Sequence, residues 1–424
     1  MEIKVYKFGG ASVKNAVAVQ NIAKIISIPK NRKLIIILSA MGKTTNDLEI
    51  VLDNYFYQKV GLSDAFNKVK DFHLDIAKML FQGEVKEIEA SLNLIFNNLE
   101  KDLEDKITGD YDFYYDKIVC YGELLSSKIV HLYLKKMGFN IFSDDVRKFI
   151  ITNDLHREAK VNWNLSEKNI KAKTNDIFNN YDIFLTQGFI ASSTIGATTT
   201  LGREGSDFTG AIFAFATNAE SLTIWKDVQG LQNADPKYFA DTKKIDVLSY
   251  GETVELAYYG ATIIHPKTIK PLQNKGIPLF VKSFLDPEND GTRIHTDMSF
   301  DDKFSSYIFK RNQVLISISP RDYSFMEEEN FAIIFSALAG FHLKVNMMQN
   351  SAISFSICVD KTNGRVEKFI ESINNHYKVR YNGNLELLTI RHYSSEIIDK
   401  LVGKREILLE QRSRSTIQMV LNEL

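Results

Sequence analysis

Residues 198–211 read TTTLGREGSDFTGA, an arginine, a glutamate and an aspartate set among glycines and hydroxyls directly ahead of an apolar, helix-like run. Gly202, Gly205 and Ser206 leave the backbone there nearly bare. Small side chains let successive N–H groups and a helix N-terminus approach an anion closely, so phosphate binding is one reading. A solvent-exposed turn with Ser206 or Asp207 capping the next helix is the other. The remainder of the chain has to separate them.

Spacing and composition exclude several other chemistries. GKTT at 42–45 resembles the end of a P-loop, but that motif needs a glycine five residues before Gly42, where Ile37 stands. No G-x-G-x-x-G run follows a strand-like segment, which argues against a dinucleotide site. The eight histidines form no H-x-x-x-H or H-E-x-x-H pair, so no zinc centre is expected. Cys120 and Cys358 lie far apart without metal-ligand spacing, which suits a reducing cytoplasm better than a disulfide framework. Basic residues number 52 against 53 acids, a net charge of -1 that would draw neither nucleic acid nor an anionic membrane. No apolar run approaches the ~20 residues that span a bilayer, and MEIKVYKFGG carries no basic leader with an apolar core. At 424 residues, 44% hydrophobic and 25% charged, the chain should fold into two or three globular domains.

Residues 2–8 and 33–38 are short β-branched runs, and KNAVAVQNIAKIIS between them has helical apolar spacing. YDIFLTQGF precedes the TLGREGSD motif and AESLTIWKDV follows its helix. Strands alternating with helices predict an α/β fold with a mainly parallel sheet sandwiched by helices. Residues 45–137 read as a helical excursion in which Ile118, Leu125, Ile129 and Leu132 share one face and Glu123 lies on another. Ligands of open α/β sheets collect at the carboxyl ends of strands; KFGGAS, LSAMGKTTN and TQGF are such ends and should converge. A polar stretch at 286–302 suggests a boundary, giving domains over 1–298 and 299–424. Beyond it, NQVLISISP to GRVEKFIESINNHY runs strand, helix, strand, strand, helix, and LELLTIRHY to STIQMVL repeats most of that order. Two α+β modules in tandem, the second shortened, are expected.

Together, KFGGAS (7–12), SAMGKTTN (39–46), YGELLS (121–126), TLGREGSD (200–207) and WKDVQGLQNADPK (225–237) resemble the aspartate kinases of the amino acid kinase family, with likeness from residue 3 to about 295. The resemblance implies an amino acid kinase fold and transfer of the ATP γ-phosphate to the β-carboxylate of L-aspartate, the entry to lysine, threonine and methionine synthesis. It implies that Lys7 reaches the transferring phosphoryl group while Gly9 and Gly10 cradle it, and that Asp207 is the acid of the phosphate site. Arg203 would clamp a substrate carboxylate, Glu123 its ammonium, and Ser39, Thr45 and Ser206 the rest of the amino acid. Lys226, Asp227, Gln232, Asp235 and Lys237 fall in the segment resembling the nucleotide pocket. Magnesium would enter with ATP and need no protein cage. No general base is required, because a β-carboxylate with a pKa near ~3.9 is already ionised at neutral pH.

Residues 312–424 resemble paired ACT modules, ferredoxin-like units that bind amino-acid effectors and dimerise such kinases; this implies a homodimer with Asn346, Gln349 and Ser351 as effector contacts. Several positions depart from the family pattern. Ala11 replaces threonine, Glu204 replaces glycine, and Gln232 takes a place often held by tyrosine. Thr262 stands for a lysine that Lys226, itself in place of threonine, could replace. Asn346 stands where lysine-sensitive relatives often have aspartate, and Glu329 falls near a glycine. A glutamate, carbamate or UMP kinase, or a catalytically silent amino-acid-binding regulator, are the alternatives.

Overall fold

The structure is a computed structural model that describes residues 2–26, 33–239, 241–261, 264–322 and 324–422. Contacts divide the chain into two units. The first comprises Met1–Leu231, Lys244–Val254 and Ile264–Met298, and the second Gln232–Lys243, Glu255–Ile263 and Ser299–Leu424.

The first unit is built on an eight-stranded sheet ordered Val247–Ser249, Thr292–His295, Leu279–Ser283, Ser221–Lys226, Ile3–Phe8, Lys33–Leu38, Ile183–Gln187, Ile141–Ser143. Every neighbouring pair is parallel except Leu279–Ser283 with Thr292–His295. Ile35, Ile36, Ile37 and Leu38 are fully buried in the middle of the sheet, as expected of a parallel sheet covered on both faces. The register aligns Phe8 with Leu38 and Trp225, and Leu38 with Gln187. Four strands therefore end at one level, and the loops after them open on the same edge.

The helical excursion consists of Thr44–Phe56, Leu62–Phe81, Lys86–Glu104 and Tyr111–Lys136. Asp110 caps the last of these by accepting from the Phe113 N–H at 2.8 Å. Ile118, Leu125 and Ile129 are buried on this helix, and so is Glu123 on its other side. Val119 and Val130 are buried on that side too, so Glu123 is a carboxylate set into an otherwise apolar face.

The second unit carries a six-stranded antiparallel sheet ordered Val345–Ser351, Ser354–Asp360, Ser306–Pro320, Tyr377–Arg391, Thr416–Asn422, Ile407–Arg412. Helices Glu328–Gly340 and Arg365–Ile373 complete one ferredoxin-like module, with Phe369 of the second helix and Ile334 of the first in one core with Ile316, Ile318 and Ile357. The two long strands run through both modules, with register irregularities between Lys310 and Leu315. The modules are thus not a simple tandem. Ser306–Lys310 pairs with Leu387–Arg391 and supplies the second module with a strand from upstream of the first, so the second module is less truncated than its sequence suggests. Among the described residues, no helix is long and apolar enough to cross a membrane.

Candidate active site

The loops at the carboxyl edge of the first unit's sheet enclose a cavity of 950 Å³ lined by Lys7, Gly9, Gly10, Ser39, Thr45, Glu123, Arg203, Ser206, Asp207, Lys226 and Asp227. These residues come from five separate motifs, and the strand register is what assembles them. Glycine is required where loops touch. A Cβ on Gly10 would sit 3.0 Å from the carbonyl oxygens of Ala40 and Gly42. One on Gly188 would lie 2.5 Å from the Ser206 Cβ. The loop after Ile183–Gln187 consequently presses on the first turn of helix Gly205–Thr217, and the Thr209 hydroxyl secures the contact by accepting from the Phe189 N–H at 3.1 Å.

Lys7 and Asp207 form the charged centre. Their side chains are only 10% and 3% exposed, and Lys7 Nζ meets Asp207 Oδ1 at 2.6 Å. That oxygen has no further hydrogen-bond donor among the described residues. Asp207 lies in the first turn of its helix, where the positive end of the helix dipole also favours a carboxylate.

Glu123 is buried beside this pair. Its Oε1 accepts from the Ala40 N–H at 3.2 Å, and its Oε2 has no partner among the described residues. Burial pushes its carboxyl up to about 8, with the Ala40 N–H and the Lys7 charge opposing the rise. An incoming ammonium would satisfy the free oxygen and favour the ionised form. Arg203, by contrast, is exposed on the cavity wall and has no ion pair among the described residues, so its guanidinium is available to a carboxylate.

Glu204, which adds a negative charge to the anion loop, lines the cavity but is tied back through one oxygen. Its Oε2 accepts from the His265 N–H at 2.8 Å, at the start of helix Pro266–Lys275. Its φ of 53° is left-handed, which accounts for glycine being easier at this position.

Sequence reading missed the loop DLHREAK as part of the site. His156, Arg157 and Glu158 line the cavity with Asp112 and Tyr115. Asp116, fully buried, holds this loop: it accepts from His156 Nδ1 at 3.0 Å, the Arg157 N–H at 3.0 Å and the Thr200 hydroxyl at 2.6 Å. Burial raises its carboxyl, and those donors counter the rise. Arg157 has a left-handed φ of 65° and lies 4.3 Å from the Tyr115 ring centroid. A buried aspartate on an apolar helix face was the available signal.

Three residues expected at the nucleotide are not on the cavity wall. Gln232, Asp235 and Lys237 group by contacts with the second unit. The Gln232 side chain accepts from the Thr242 hydroxyl, and Asp235 Oδ1 accepts from the Lys237 N–H at 2.9 Å. Thr262 lies outside the described residues.

The expected effector residues also differ from an open site. Asn346 is buried and donates to Gln313 at 2.9 Å and Asp360 at 3.0 Å, while its oxygen accepts from Lys310 Nζ at 2.9 Å. The chain's own ammonium occupies this position. Gln349 and Ser351 are exposed on the edge strand, where Ser351 hydrogen-bonds Ser354 at 2.7 Å.

Residues 2–283 match the amino acid kinase family, and the chain belongs to it. It is 29% identical to lysine-sensitive aspartokinase 3 of Escherichia coli (strain K12) over 366 residues, covering 85% of this chain and 79% of that protein. It is 28% identical to an aspartokinase of Chlamydia pneumoniae over 356 residues, covering 83% of this chain and 76% of the other. Among solved structures, E. coli aspartokinase III in complex with lysine and aspartate superimposes with a TM-score of 0.83 at 25% identity, covering 100% of this chain and 96% of that one. The same enzyme with aspartate and ADP gives 0.82 at 24% identity, covering 99% and 96%.

Proposed function

We propose that the protein is an aspartate kinase that transfers the γ-phosphoryl group of ATP to the β-carboxylate of L-aspartate. One observation carries the reading. A buried carboxylate with a free oxygen, Glu123, an unpaired guanidinium, Arg203, and the Lys7–Asp207 pair all face one cavity. Glu123 takes the substrate ammonium and Arg203 a carboxylate, with Ser39, Thr45 and Ser206 around them. An α-amino dicarboxylic acid matches that set of charges, and the relatives named aspartokinase support it.

The chemistry is alignment and charge neutralisation. An oxygen of the β-carboxylate attacks the γ-phosphorus, the bond to the bridging oxygen breaks, and ADP leaves with that electron pair; no proton moves. Lys7 stabilises the charge on the transferring oxygens, with Gly9 and Gly10 giving backbone access. Asp207 keeps the Lys7 ammonium aimed. Lys226 and Asp227 are assigned to the nucleotide from the cavity wall. Gln232, Asp235 and Lys237 are assigned to it only through the resemblance of their segment. Magnesium fits as a companion of the triphosphate, since it keeps most of its water and asks for one or two carboxylates at most. Asp207 and Asp227 are the acids that would meet it, and when bound it neutralises phosphate charge.

The proposal extends to a cytoplasmic enzyme of lysine, threonine and methionine synthesis, which suits two buried free cysteines. It also includes a homodimer formed through the second unit, whose exposed Ile333, Phe335 and Met348 offer an apolar surface. Lysine inhibition is not carried over, because Lys310 already fills the place beside Asn346.

Hydroxylamine trapping tests the activity. Wild type with ATP and L-aspartate should form a hydroxamate, L-glutamate should not support it, and Arg203→Ala should lose it. A folded, ATP-binding wild type that forms none would overturn the reading.

A further inference from the structure

The second unit contains a cavity of its own, 420 Å³ in volume, remote in composition from the polar phosphate site. One wall is aromatic. Phe239 packs edge-on to Tyr307, with centroids 4.8 Å apart, and lies 5.6 Å from Phe309. Tyr238 adds a fourth ring, with the Arg311 guanidinium 4.4 Å from its centroid.

The other wall is charged in an organised way. Glu386, buried at 5% exposure, pairs with Arg405 at 2.7 Å and with Arg311 at 3.2 Å, so both of its oxygens are spent. The Arg405 side chain is 9% exposed and is fixed further by donating to the carbonyls of Val402 at 3.2 Å and of Leu401. Lys400, exposed at the cavity, has no ion pair among the described residues. Counting Asp241, three cations face two acids, leaving one positive charge uncompensated.

Taking the Glu386 and Arg405 charges out of water is costly, and a purely structural filler would be better made of apolar side chains. A cavity of this size that combines rings with converging, pre-aimed cations has the character of a ligand pocket. We propose that it binds a small planar ring carrying a single anionic group, the ring against Phe239, Tyr307 and Phe309 and the anionic group at Lys400 and Arg311. A carboxylate and a phosphate monoester share that chemistry.

Occupancy would act on a particular segment. Asn233 ties residues 232–243 down by donating to the Ser305 carbonyl at 3.1 Å, while its carbonyl accepts from the Tyr307 N–H at 2.9 Å. The same short segment carries Tyr238 and Phe239 beside Asp235 and Lys237. A ligand gripping its rings would therefore change the apparent ATP affinity, a consequence that rests on the nucleotide role proposed for those residues.

Isothermal titration calorimetry of the full chain with indole-3-acetate and with phenyl phosphate tests the site and separates the two anion types; acetate and benzyl alcohol serve as half-probes. At least one ring-bearing anion should bind and both half-probes should not. Lys400→Glu and Phe239→Ala should each weaken that binding roughly tenfold with unchanged melting curves, the first by reversing a charge and the second by deleting a stacking face. Lys400→Glu removes no buried group, so it remains informative if Phe239→Ala misfolds. Absence of binding by both anions, or binding unaffected by Lys400→Glu, overturns the proposal. Binding that obeys the variants but leaves the ATP KM unchanged upholds the site and removes the nucleotide role of Asp235 and Lys237.

Discussion

Replacing Glu123 by glutamine probes the most strongly perturbed group of the site. Its carboxyl is pushed up to about 8 by burial, so in the empty site at about pH 6.5 only a few per cent is ionised. Binding the aspartate ammonium requires the ionised form, and the cost of ionisation falls away as pH rises through 8. Each unit below that value costs about 1.4 kcal/mol, so the wild-type KM for aspartate should fall roughly 10- to 30-fold between about pH 6.5 and pH 8.5 where KM follows binding. Glu123→Gln cannot ionise and should give a flat profile. It also loses a charge-assisted hydrogen bond of about 1.5–3 kcal/mol, a deficit fully seen only at the alkaline end and shrinking towards acid. Steady-state kinetics at fixed saturating ATP read both. A second readout concerns the unliganded fold. A carboxyl whose folded value lies above its unfolded value destabilises the fold as pH rises between the two. Glu123→Gln should therefore melt higher than wild type above neutrality, the gap closing as pH falls towards the ordinary carboxyl range. A wild-type KM independent of pH, or a variant that keeps the wild-type slope, would refute the assignment of Glu123 to the ammonium.

Two further substitutions test the phosphate side. Lys7→Met strands Asp207 as a buried charge and should cost about 3–5 kcal/mol in stability along with nearly all turnover; adding Asp207→Asn should restore most of the stability and none of the activity, and strictly additive losses in denaturant melts would contradict a coupled pair. Glu204→Gly relieves a left-handed glutamate worth about 1–2 kcal/mol while deleting its bond to the His265 N–H, so stability should move by only about 1 kcal/mol either way. Aspartate KM should stay put, and a large gain in affinity would show that the Glu204 charge opposes the substrate.

Much of the architecture is legible in local pattern. Short β-branched runs alternating with helical patterns specify a parallel sheet, because each local choice depends on period and propensity alone. Glycines and charges at strand ends mark a candidate site, and Lys7, Glu123, Arg203 and Asp207, named from motifs that resemble a family, all line the one cavity. Contacts between distant segments are another matter. That Glu204 turns to a helix start, and that Asn346 is occupied by Lys310, are matters of side-chain direction between segments distant in sequence. So is the Asp116 cluster that brings His156, Arg157 and Glu158 to the cavity. The ring-lined pocket of the second unit joins residues 238 and 239 to residues 386 and 405, and the second module takes its extra strand from Ser306–Lys310. Such pairings follow from strand register and from which buried charges find partners, and neither quantity is periodic along the chain.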